Sequence, residues 1–157
     1  MEEKKVLMIS HGITGVTGFA NQLLLQAQAL VEDTKTKYKI YALHRDYRGE
    51  PFEIPLGSGV KLNSGRSIEG ITMLPVGNQQ WAEDVGPYYM ERYKIDYLHT
   101  LGDIWCYQYF QKVPKKKDWK WTGHYVFDTE NMVSFWNKSI QAADISVVPS
   151  QNAFELV

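Results

Sequence analysis

Cysteine is almost missing: Cys106 stands alone among 157 residues, which excludes a disulfide framework and a cysteine-ligated zinc site. An excess of one charge is missing too. Seventeen Lys and Arg against eighteen Asp and Glu leave a net charge of −1, so no nucleic acid is expected as a partner, since none could be gripped by a broad basic surface. There is no long apolar run either. The stretch after MEEKK ends at Ser10-His11-Gly12, too short for a signal peptide or a membrane span. A reducing, cytoplasmic compartment is the expectation. His11, His44, His99 and His124 follow no metal-ligand spacing, and neither a Gly-x-Ser-x-Gly elbow nor a Walker loop occurs. Metal and nucleophile chemistry therefore have no foothold, and no cofactor is called for.

What is present begins with enough apolar material for one core. The chain is 44% hydrophobic and its length fits one domain, residues 1–157. Val6 to Ser10 reads as a strand buried on both faces. A glycine-rich turn follows. Phe19, Leu23, Ala27, Leu30 and Val31 then recur at helical spacing, and Tyr38 to His44 is a second strand. Strand, turn, helix and strand make a βαβ unit and hence a parallel sheet. Residues 45–67 read as a long polar loop. Strands follow over 71–76, 95–101, 119–127 and 145–148, with helices over parts of 81–94, 103–111 and 131–143 and a last one opening at Ser150. Asp103 is the expected N-cap of the helix over 103–111. The fold class expected is α/β: a Rossmann-like open, mainly parallel sheet of about six or seven strands flanked by helices.

In such a sheet ligands bind beyond the carboxyl ends of the strands. That edge carries His11 to Gly18, His44 to Asp46, Pro75 to Gln80, His99 to Trp105, Asp128 to Glu130 and Ser150. In HGITGVTGFA, Gly12, Gly15 and Gly18 allow a tight turn and close approach of a ligand. The helix starting near Gly18 aims its free N–H groups at the same place, which suits phosphate. The dinucleotide spacing GxGxxG is not met, and no Tyr is followed four residues on by Lys, so a nicotinamide-dependent epimerase or oxidoreductase lacks its proton-transfer pair. In LHTLGDIW a strand delivers Asp103 and Trp105 to the edge. In HYVFDTEN alternation puts His124, Val126 and Asp128 on one face, with Asp128 and Glu130 at the tip. These carboxylates could hold sugar hydroxyls, act as a base, or cap the next helix.

The series S-H-G with T-G-x-x-G-F-A, then WAEDVGPYYMERYKIDYLHTLGDIW, GHYVFDTEN and ADISVVPSQNAFELV resembles the amino-terminal domain of retaining, family 4 type glycosyltransferases of the GT-B fold. The likeness spans essentially the whole chain. It implies an acceptor-side domain, one half of a GT-B fold, whose partner domain would bind most of a nucleotide-sugar donor. The acceptor would be a sugar or a lipid-linked molecule, which is compatible with peripheral membrane association. The resemblance assigns substrate contacts to Gly15, Thr17, Gly18, Asp103, Trp105, Asp128, Glu130 and Ser150. It makes Asp128 the catalytic candidate, although relatives usually carry His there. The donor-binding half is expected to lie outside this chain, because the last helix stops within QNAFELV. A non-catalytic interaction domain of a split transferase is the alternative from another class.

Overall fold

A computed structural model describes residues 2–44, 46–62, 65–114, 119–126 and 136–148. β1 (Glu3–Ile9) leads through the glycine turn into α1 (Gly18–Val31), which returns to β2 (Lys37–His44). After β3 (Phe52–Ile54) and β4 (Ile71–Pro75) come α2 (Gly86–Arg92) and β5 (Tyr97–Asp103). Two short 3-10 turns (Ile104–Cys106 and Gln108–Lys112) lead to β6 (Lys120–Val126), and α3 (Asn137–Ala142) leads to β7 (Ile145–Val147). The seven strands form one sheet in the order β3-β4-β2-β1-β5-β6-β7. All neighbours pair in parallel except β3, which runs antiparallel to β4. Without β3 the parallel strands run third, second, first, fourth, fifth, sixth, the order of a Rossmann-like sheet.

The core lies in two layers because strand side chains alternate. Val6 and Met8 of β1 join Ile40, Met73 and Leu101 on the α1 side, where Leu23, Leu24 and Ala27 of the helix cover them. Leu7 and Ile9 point the other way, onto Leu43, Leu98, Trp121, Met90 and Phe110. Tyr41, Tyr89, Tyr93, Tyr107 and Tyr109 belong to or pack on this second layer. Buried or half-buried phenols donate to backbone carbonyls: Tyr89 to Pro75 at 3.0 Å, Tyr107 to Leu101 at 3.2 Å, Tyr109 to Trp81 at 2.9 Å and Tyr125 to Ser139 at 3.2 Å. A phenol out of water must find an acceptor, and here each acceptor lies on a different segment of the chain.

Two expectations change. The polar stretch 45–67 holds an edge strand, β3, and an antiparallel bridge between Lys61 and Ser67. Ile54 opposite Ile71, with Ile68 nearby in sequence, supplies the burial that fixes it. The helix expected over 103–111 is two 3-10 turns. Tyr107 separates them with φ −122° and hooks its phenol back onto Leu101, which interrupts helical propagation. Helix α2 falls within 81–94 and starts at Gly86-Pro87 as expected, and it ends in a Schellman arrangement. Ile95 N–H bonds Met90 O at 3.0 Å, Lys94 N–H bonds Glu91 O at 3.2 Å, and Lys94 takes the left-handed φ of 53°. The helix expected to open at Ser150 lies outside the described residues.

Asp96, just ahead of β5, sets the centre of the sheet. Its carboxylate accepts the Lys5 N–H at 2.8 Å, its own N–H donates to Lys5 O at 2.9 Å, and its carbonyl accepts from Lys120 N–H at 2.9 Å. Asp144, ahead of β7, accepts from Trp121 N–H at 2.8 Å and donates to Trp121 O at 2.9 Å. Replacing Asp96 with Ala should cost about 1–3 kcal/mol, because a strand N–H loses a charged acceptor. Asp96→Asn, which keeps an acceptor oxygen, should cost visibly less. Urea denaturation of the two variants checks this.

Candidate functional site

The strand order reverses between β1 and β5, and the crevice at that switch point is the natural ligand position. Thr100 of β5 lies opposite Ile9 of β1, so Gly102 and Asp103 run out beside the turn that begins at Ser10. The turn is compact. Gly12 has φ 103°, which favours glycine, and Gly15 N–H closes onto Gly12 O at 3.1 Å. A Cβ on Gly15 would stand 3.2 Å from the Ala20 Cβ, so this glycine lets α1 sit close under the turn. Gly18 differs: nothing lies within 4 Å of where its Cβ would be. The chain itself does not require a glycine at Gly18, and that side of the helix start is open. Val16, at the tip, is 86% exposed.

Three polar groups converge on the turn. Thr17 is the N-cap of α1, its hydroxyl accepting from Ala20 N–H at 3.1 Å, so its first task is structural. Thr14 is hydrogen-bonded to His44 Nε2 at the end of β2. His44 Nδ1 accepts from Asp46 N–H at 3.2 Å, which leaves the ring proton on Nε2 to donate to Thr14. Burial holds the His44 pKa below its ordinary value, with Asp46 opposing the shift. Ser10, 4% exposed, keeps a buried hydroxyl with no hydrogen-bond partner. A buried orphan hydroxyl at a strand tip is unusual. The imidazole of His11 lies edge-on to Phe19 at 4.8 Å and 5.4 Å from the ring of Trp81.

Asp103 occupies the N-cap position of the first 3-10 turn, but its side chain makes no capping hydrogen bond. Trp105, two residues on, is 43% exposed and packs against Trp136. Gly15, Thr17, Gly18, Asp103 and Trp105 therefore lie along the carboxyl edge of the sheet. Asp128, Glu130 and Ser150 lie outside the described residues. His99 is not at a tip: β5 continues through Gly102 to Asp103. Its ring sits over the α1 face, where Gln26 links it to β6. His99 Nε2 lies 2.9 Å from Gln26 Oε1, and Gln26 Nε2 lies 3.4 Å from His124 Nδ1. An amide oxygen only accepts and an amide nitrogen only donates, so His99 carries a proton on Nε2, while His124 Nδ1 accepts and its ring is neutral with the proton on Nε2.

Gln26, Ser10 and the Thr14–His44 pair were not singled out by sequence pattern. Gln26 leaves one signal: it lies three residues after Leu23 and four before Leu30, a polar side chain beside the apolar stripe. Among the described residues no group of three His, Cys, Asp or Glu is placed to hold a metal ion, and no helix is long and apolar enough to cross a membrane. Comparison with protein-family models, characterised proteins and solved structures finds no match to this chain.

The imidazole pair gives stability a defined pH dependence. Burial, helped by the nearby His124, pushes the His99 pKa down to about 4, and burial also lowers that of His124. Unfolded imidazoles titrate near ~6.5. Above that value the pair costs nothing. As pH falls below it, the unfolded chain takes up protons that the native state refuses, and stability declines until about pH 4. Unfolding free energies from urea titrations of wild type should fall over this window by up to about 3 kcal/mol more than those of His99→Gln. Equal slopes would show that His99 is not the group responsible.

Proposed function

We propose that this chain is the acceptor-side domain of a glycosyltransferase that moves a sugar from a nucleotide-sugar donor to an acceptor bound near the β5 tip. The observation that carries the reading is the glycine turn at the switch point: a fourteen-residue helix aimed at it, an open Gly18 and the unpartnered hydroxyl of Ser10. Backbone N–H groups at a helix start and a hydroxyl donor suit the diphosphate of the donor. Asp103 and Trp105, on the neighbouring strand end, suit the hydroxyls and ring of a sugar. Asp128 and Glu130 remain the candidates to act on the reacting centre, and Ser150 a further contact. The second domain would supply the rest of the donor site.

A nicotinamide-dependent epimerase or oxidoreductase shares the strand order. Asp46 stands near the end of β2, where such enzymes hold the ribose with an acid, but the chain lacks the Tyr-xxx-Lys pair. The two readings differ in ligand. Isothermal titration of the chain joined to its donor-binding domain with uridine, guanosine and adenosine diphosphate sugars should find binding of at least one, and NADH fluorescence should be unchanged by the protein. Gly18→Val should leave the fold intact, since none of the described residues fills that space, and weaken nucleotide-sugar binding about tenfold or more. Absence of binding to every nucleotide sugar sinks the reading.

A further inference from the structure

Trp105 is mounted in an uncommon way. Its neighbours Ile104 and Cys106 are 0% and 1% exposed, while Trp105 between them is 43% exposed. The first 3-10 turn thus buries residues on both sides of the indole and turns the ring outward. Behind it stands Trp136, at the start of α3, with ring centroids 5.6 Å apart and planes inclined at 36°. The indole is therefore backed by the Trp136 ring and partly open to solvent, a setting in which a second ring can stack.

The other exposed aromatics do not share this setting. Tyr97 opens β5 at the far end of the sheet, Tyr88 lies under the Arg92 guanidinium on α2, and Phe52 of edge strand β3 packs edge-on to Tyr47. Trp105 alone among the described exposed aromatics stands at the switch-point edge, two residues from the Asp103 carboxylate. A flat apolar ring beside a carboxylate matches a pyranose, which has one apolar C–H face and a rim of hydroxyl donors.

We infer that Trp105, backed by Trp136, is the stacking platform for a pyranose ring of the acceptor, with Asp103 accepting from that ring's hydroxyls. This rests on the transferase reading and narrows it: the acceptor presents a sugar at its reactive end rather than a lipid phosphate.

Saturation-transfer NMR tests it on the full chain. The probes are methyl β-D-glucopyranoside, methyl β-D-galactopyranoside, methyl α-D-mannopyranoside and N-acetylglucosamine, with dodecyl phosphate as the contrasting ligand. At least one sugar should receive saturation on the C–H protons of one ring face. Trp105→Ala should weaken that binding about tenfold, Trp105→Phe should retain much of it, and Asp103→Asn should shift the preference among epimers. Lack of transfer to any sugar, transfer unchanged in Trp105→Ala, or transfer confined to dodecyl phosphate would each overturn the platform. The nucleotide-sugar titration separates the two claims. Donor binding without sugar stacking removes only the platform, whereas sugar stacking without donor binding leaves a carbohydrate-binding domain and removes the transferase.

Discussion

The three bonds of Asp96 hold together the part of the sheet on which everything else depends. A parallel sheet has no tight hairpins to set register; each strand arrives after a crossover and must be aligned by contacts far away in sequence. Asp96 supplies that alignment for three strands at once, binding Lys5 at both backbone groups and receiving the N–H of Lys120. A slip by one residue would turn Leu98 out of one apolar layer and His99 into it. The clamp sits at the amino ends of β5 and β6, but its effect is felt at the other end, where it decides that Asp103 emerges beside the turn after β1. Asp144 repeats the device for β7 with Trp121.

The carboxyl edge is held by different means. There the loops are anchored by phenols: Tyr89 reaches Pro75 at the end of β4, Tyr109 reaches Trp81, and Tyr107 reaches Leu101 inside β5. Each bond brings a long apolar body and one donor to a backbone carbonyl elsewhere in the chain. The abundance of tyrosine thus serves the mounting of the edge loops more than any direct contact with a ligand. Trp105 stands apart from this pattern because its ring, unlike the phenols, faces water.

Much of the architecture was legible in residue patterns. The apolar run Val6 to Ile9 could only be a strand covered on both sides, and the spacing Leu23, Ala27, Leu30 could only be a helix lying on it. Periodicity failed where the deciding contact was remote. β3 has three residues, too few for alternation to show, and it exists because Ile54 meets Ile71 across the sheet edge. The break in 103–111 came from one phenol returning to Leu101. The candidate site divides the same way. Gly15, Thr17, Gly18, Asp103 and Trp105 were visible as tip residues, because topology alone sends them to one edge. The orphan hydroxyl of Ser10 and the amide of Gln26 were not, since whether a polar group is satisfied depends on neighbours distant in sequence.

Helix α1 is fastened along its whole length. Thr17 caps its start, Asn21 Oδ1 accepts from Arg66 at 2.9 Å, Gln26 spans to β5 and β6, and the side-chain amide of Gln28 bonds the Ser67 carbonyl. A helix pinned at four points cannot rock or slide without breaking several polar contacts together. The glycine turn at its head therefore rides on a fixed strut, and its backbone N–H groups are ordered before anything binds. Whatever approaches that turn meets a rigid wall, so accommodation must come from the visitor and from any partner that carries it.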